Sequence, residues 1–331
     1  MTVPAHPAVV AHADWSVDPR KRWLALATLD EKGGYRAAPP RPVGALPALL
    51  RDLAALAGPA GSVLLGVDFP LGLPAAYAAR AGVGDFAALL PKLGRGRWRE
   101  FFAVAGRPEE ISLARPFFPA TQGEKGAFSQ AQLVSGLGLA SAEELRRRCD
   151  HATAARRAAA PLFWTLGPQQ VGKAALLAWR DLLIPALASA RPPALWPFDG
   201  PLAALLAPGR LPGRLVIAET YPAEVYGHLG VAFPRPTPGT RTGKRVQAAR
   251  AANAPVLLAR AEELGVVLSP ALRTDIDSGF GPAPEGEDAF DATVGLLGLV
   301  NMVRGRRPPG DPEDPVVRKV EGWILGQLPA D

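Results

Sequence analysis

Three short apolar runs, each ending in an acid, constrain this chain more than any other feature. They are Val9-Val-Ala-His-Ala-Asp14, Leu64-Leu-Gly-Val-Asp68 and Leu215-Val-Ile-Ala-Glu219. Each has the length and character of a buried strand. A carboxylate at the tip of such a strand is costly unless it meets a metal, a proton or a partner. A fourth segment, Asp288-Ala-Phe-Asp291, puts two acids three residues apart at the opening of an apolar helix. That spacing sets both carboxylates on one helix face. Acids in a first turn also complement the helix dipole. That accounts for one acid better than for a pair matched by acids on three strands, so the chain reads as a scaffold for an acidic cluster.

The order of elements limits the fold. Ala8–Ser16 and Arg22–Leu29 read as two strands joined through a turn near Asp18-Pro19. Tyr35–Val43 supplies a third whose prolines suit an edge. Leucines at helical spacing from Ala45 to Leu56 then precede the strand Ser62–Asp68. Strand-strand-strand-helix-strand points to an α/β fold. After Glu219, Pro222 suits the first turn of a helix. A helix is expected over Arg245–Leu264, a polar loop over Thr274–Gly286, and a long helix over Asp288–Arg304.

Residues 73–211 differ in character. Helical stretches at Asp85–Leu93, Ala142–Ala160 and Gly172–Ala190 are separated by Pro- and Gly-rich loops. The chain is therefore divided into a first core segment (1–72), a basic helical insertion (73–211) and a second core segment with C-terminal helices (212–331). The net charge of +6 sits in the middle. Ala76–Arg210 holds 17 Lys/Arg against 10 Asp/Glu, and the remainder holds 20 against 21. A basic segment suits a phosphate-rich partner, although general solubility explains it as well. The single Cys149 excludes an internal disulfide and a cysteine zinc site. With no apolar run of membrane-spanning length and no signal-like N-terminus, a cytoplasmic protein with no membrane partner is expected.

The motifs Asp14-Trp-Ser16, Gly66-Val-Asp68-Phe-Pro-Leu-Gly72, Glu219-Thr-Tyr-Pro-Ala-Glu224 and Asp288-Ala-Phe-Asp-Ala292 carry a resemblance across most of the chain. They resemble an uncharacterised prokaryotic family, the domain of unknown function numbered 429, regarded as predicted nucleases with a ribonuclease H-like fold. The resemblance implies a mixed sheet with its first three strands antiparallel and helices on both faces. It implies Asp14 as the central metal ligand, Asp68 or Glu219 as the middle acid, and Asp288 with Asp291 as the helix acids. Carboxylates gathered in this way repel one another unless a hard divalent cation, Mg²⁺ or Mn²⁺, neutralises them. Two such ions would support phosphodiester hydrolysis of nucleic acid.

Weaker signals surround this core. Gly167-Pro-Gln-Gln-Val-Gly-Lys173-Ala174 approaches a phosphate-binding loop but has Ala where Ser or Thr would hold Mg²⁺. Lys173 remains a candidate anion contact, as do Lys244 and Arg245 in the loop Gly239–Arg245. Arg95, Arg97 and Arg99 around Trp98 suit single-stranded nucleic acid, while aromatics so spaced also serve as core anchors. His12, two residues before Asp14, is read as a packed histidine. Two other classes stay open: a nucleotide phosphotransferase or hydrolase on the same core, and a non-catalytic nucleic-acid- or protein-binding module.

Overall fold

The computed structural model describes residues 6–121, 127–153, 156–166, 171–207, 214–233 and 243–328. The chain divides into two compact units. The first comprises residues 1–68, 201–310 and 325–331, and the second comprises 69–200 and 311–324. Among the described residues, no helix is long and apolar enough to cross a membrane.

The strands, in chain order, are β1 (Val9–Asp14), β2 (Trp23–Leu29), β3 (Tyr35–Ala37), β4 (Arg41–Pro42), β5 (Val63–Val67), β6 (Ala194–Trp196), β7 (Leu215–Glu219) and β8 (Val266–Leu268). All but β6 belong to the first unit. There the order is β7-β5-β1-β2-β3-β8, with β4 also on β2. The first three strands are antiparallel, and β5 and β7 continue parallel to β1. This mixed α/β arrangement is the one anticipated. The third strand is interrupted, because the Pro39-Pro40 step separates β3 from β4 and proline cannot donate to the ladder.

β8 lies in no predicted strand. It is three residues long and, among the described residues, pairs with β3 alone, so its periodicity is too short to read. Thr274–Gly286, expected as a loop, begins inside the helix Pro270–Asp277. Ser269 starts that helix by accepting the Leu272 N–H, with Pro270 in the first turn. The expected Arg245–Leu264 helix is broken into Gln247–Ala251 and Ala254–Glu263. Pro255 opens the second piece and cannot donate back to the first.

Small residues seat the long helix Glu285–Val303 on the sheet. A methyl group on Gly295 would come within 2.4 Å of the His12 ring, and one on Gly66 within 2.8 Å of Leu299. His12 is fully buried and neither ring nitrogen has a hydrogen-bond partner among the described residues. Burial holds its pKa down at about 3. It is a packed, neutral histidine.

The second unit consists mostly of short helical turns around an aromatic core that includes Phe86, Phe101, Phe117, Phe163 and Trp179. The expected helix over Ala142–Ala160 is not formed. Glu143–Leu145 and Arg148–Asp150 are single turns instead. Arginines take over the backbone pairing there. Arg147 is fully buried, pairs with Asp150 at 2.8 Å and donates to the carbonyls of Leu71 and Glu321. Arg156 donates to the carbonyls of Cys149, His151 and Arg157. Buried guanidinium groups thus replace helical bonds, and these two arginines are not part of a solvated basic face.

Asp311–Ile324 belongs to this second unit and brings acids with it. Asp314 pairs with Arg148 at 2.7 Å. The unit as folded carries 18 Lys/Arg against 14 Asp/Glu, a smaller basic excess than its linear segment suggests.

Candidate active site

Strand register decides which acids can meet. Across the parallel strands Ala13 is level with Val67, and Val67 is level with Glu219. Paired residues share a sheet face and successive residues alternate. Ala13, Val67 and Glu219 therefore face one way, while His12 and Asp14 face the other, toward Gly295 of the long helix. Glu219, predicted as a ligand, is turned away from Asp14. It is buried, and its backbone carbonyl accepts the Leu325 N–H at 2.8 Å. Thr220, the next residue, lies on the Asp14 side of the register, and its buried hydroxyl has no hydrogen-bond partner among the described residues.

Asp14, Asp68, Asp288 and Asp291 do converge. Asp14 ends β1 and is buried. Asp68 follows β5, within hydrogen-bonding reach of Asp14, and accepts the Trp15 N–H at 2.5 Å. Asp288 and Asp291 project from the first turns of the long helix. Burial, reinforced by Asp68, Asp291 and Asp288 and opposed by Lys244, raises the Asp14 pKa well above the carboxylate range. Burial also lifts Asp68 to about 7, against the stabilising Trp15 N–H and with Asp291 adding to the rise. Asp288 is pushed up to about 6 by burial, Glu287 and Asp291, with Lys21 and Lys244 opposing.

Three residues complete the cluster. Lys244, named above only as a weak phosphate contact, sends its ammonium into the acids. It bonds to Asp291 Oδ2 and lies 3.3 Å from Glu287. Burial alone would lower the Lys244 pKa, but the attraction of Asp291, Asp14 and Glu287 outweighs it and raises the pKa. The Tyr226 hydroxyl donates to Asp291 Oδ1. Tyr226 and Glu287 were not singled out in the sequence. The tyrosine's signal was its place two residues beyond the Glu219-Thr-Tyr-Pro-Ala-Glu224 motif. Glu287 precedes the expected helix start at Asp288, whereas the observed helix places it in its first turn.

Arg250 fixes Lys244 from behind. Its guanidinium is buried and donates to the carbonyls of Lys244 (2.5 Å), Gly279 (2.8 Å) and Gly281 (2.8 Å). Phe280, between those two glycines, has a positive φ of 58°, so the loop turns its carbonyls toward Arg250 at a backbone cost. Gly286 is required beside it, since a methyl group there would lie 2.7 Å from the guanidinium.

The remaining predicted contacts stand elsewhere. Arg245 is exposed, 4.0 Å from Glu287. Arg95, Arg97 and Arg99 are exposed in the second unit. Trp98 is buried, edge-on to Phe101, with Arg97 over its ring at 4.5 Å, so it is a core anchor and not an open stacking platform. Residues 167–170 and 239–242 of the two glycine-rich loops lie outside the described residues. Lys173 lies on the helix Val171–Ala178, and a methyl group on Gly172 would meet the Leu162 carbonyl at 2.3 Å. That glycine serves close packing.

As the side chains lie, no group of three or more His, Cys, Asp or Glu among the described residues stands ready to hold a metal ion. The donor chemistry nevertheless fits a hard cation. Every acid offers oxygen, burial holds the Asp14 and Asp68 pKa values up, and a buried hydroxyl on the same face lacks a partner among the described residues. Comparison of the chain with protein-family models, curated proteins and solved structures gives no match in any of the three.

Proposed function

We propose that the protein is a ribonuclease H-like, divalent-cation-dependent hydrolase of phosphodiester bonds in nucleic acid. The observation that carries this reading is the meeting of Asp14, Asp68, Asp288 and Asp291 around one lysine at the ends of β1 and β5. Antiparallel β1–β3 followed by parallel β5 and β7 support the ribonuclease H-like assignment. Asp14, Asp68 and Asp288 would hold Mg²⁺ or Mn²⁺, which would supply charge for the phosphoryl oxygens and lower the pKa of a bound water.

The chain's own groups set up that chemistry. The Trp15 N–H orients Asp68, and the Tyr226 hydroxyl orients Asp291. Lys244 neutralises part of the acidic charge and offers ammonium protons to a phosphate oxygen. Lys21, close enough to stabilise ionised Asp288, and exposed Arg245 provide a cationic rim for a polyanion. The exposed Lys92, Arg95, Arg97 and Arg99 of the second unit suit the same class of substrate.

The test is cleavage of labelled single-stranded, duplex and branched DNA and RNA with Mn²⁺, by the wild type and Asp14→Asn. Cation-dependent cleavage that disappears in the variant is expected. Equal activity in both proteins, or cleavage that persists in chelator, would refute the reading.

A further inference from the structure

The acids fall into two groups according to what already satisfies them. Asp291 has Tyr226 on one carboxylate oxygen and Lys244 on the other. Glu287 shares the same ammonium at 3.3 Å. Asp14 and Asp68 make no ion pair among the described residues, and they face each other with the Trp15 N–H as the neighbouring donor. One half of the cluster is thus neutralised by a side chain, and the other has no cationic side chain at ion-pair distance among the described residues.

We propose that this site takes one divalent cation, held by Asp14, Asp68 and Asp288, and that the Lys244 ammonium stands where a two-metal site would place its second ion. This rests on the metal-dependent reading above and changes its stoichiometry. A lysine can fill that place because it is a compact point charge with three donors. Here it spans Asp291 and Glu287 as a cation would.

The arrangement is built into the fold. Arg250 pins the Lys244 backbone carbonyl at 2.5 Å and is itself anchored to Gly279 and Gly281. A lysine on an untethered surface loop would have nothing holding its backbone. Lys244 has its backbone clamped and its ammonium engaged, while 38% of its side chain stays exposed to solvent. A substrate oxygen can therefore approach the ammonium without the lysine leaving the acids. A second divalent ion would have to displace it and strip Asp291 of a partner.

The experiment is calorimetric titration of Mn²⁺ into the wild type, K244M and K244Q, with electron paramagnetic resonance on the saturated proteins. Thermal melts confirm that all three are folded, and the two variants guard against a folding defect in either. The wild type is expected to bind one Mn²⁺ per chain with the spectrum of an isolated ion. The variants should bind two, with the spin coupling of ions about 4 Å apart. Two ions in the wild type, or one in the folded variants, would overturn the proposal while leaving the metal-dependent reading intact. Absence of binding heat in every protein would overturn that reading itself, and is distinguishable from both.

Discussion

Asp14 and Asp68 close on each other from the ends of neighbouring parallel strands, with the Trp15 N–H donating to Asp68 Oδ1 at 2.5 Å. Two carboxyls so placed cannot both ionise at ordinary cost. The pair stores repulsion that a cation, a proton or a neutral substitution would relieve.

The first prediction concerns stability against pH in chelator. Folded Asp68 holds its proton up to about pH 7, whereas an unfolded Asp loses it near ~3.9. Between those values the folded state binds more protons, so stability is highest at the acid end and falls as pH rises. Asp68→Asn should remove its share of that fall, with Asp14 and Asp288 retaining theirs, and exceed the wild type at pH 8 by roughly 1–3 kcal/mol. Urea unfolding at pH 5 and pH 8 measures this, and a wild-type stability that is flat across the window would contradict it.

Glu219 separates the register argument from the motif argument. Because it faces away from Asp14, Glu219→Gln should change Mn²⁺ affinity by less than about 0.5 kcal/mol. Asp14→Asn should abolish binding. A loss in Glu219→Gln as large as in Asp14→Asn would place the glutamate in the site.

Arg250→Lys tests the clamp. An ammonium cannot span the carbonyls of Lys244, Gly279 and Gly281, so buried acceptors lose their donors. A destabilisation of about 2–4 kcal/mol is expected, together with slower cleavage once Lys244 is no longer held. Wild-type values for both the melt and the turnover would remove Arg250 from the site's support.

Gly295→Ala should destabilise the first unit by about 1–3 kcal/mol, because the added methyl group would meet the His12 ring at 2.4 Å. Combining it with His12→Ala should recover part of the loss, since the ring is the obstruction. A double variant no better than the sum of the singles would mean that the helix seats elsewhere.

Much of the scaffold was legible because it rests on local pattern. Runs such as Leu215–Ala218 form strands because apolar side chains at strand length have nowhere to go but a core, and Asp288 with Asp291 share a face because the helix repeat puts them there. The order of the first strands followed in the same way, and so did the expectation that Asp14, Asp68 and the helix acids belong together.

Only the tertiary structure decided which partners those residues meet. Glu219 sits at a strand end like Asp68, but a one-residue difference in level across parallel strands turns it to the other face, and pairing level is a property of two strands at once. Lys244 reaches Asp291 across 47 residues of chain, and Arg250 reaches Gly281 across 31. Neither approach leaves a period in the sequence. Nothing in the sequence marks the carbonyls that buried Arg147 and Arg156 meet. The sequence by itself determined that acids would crowd at the strand ends. Long-range contacts determined that a lysine would stand among them, because charge is compensated through space and not along the chain.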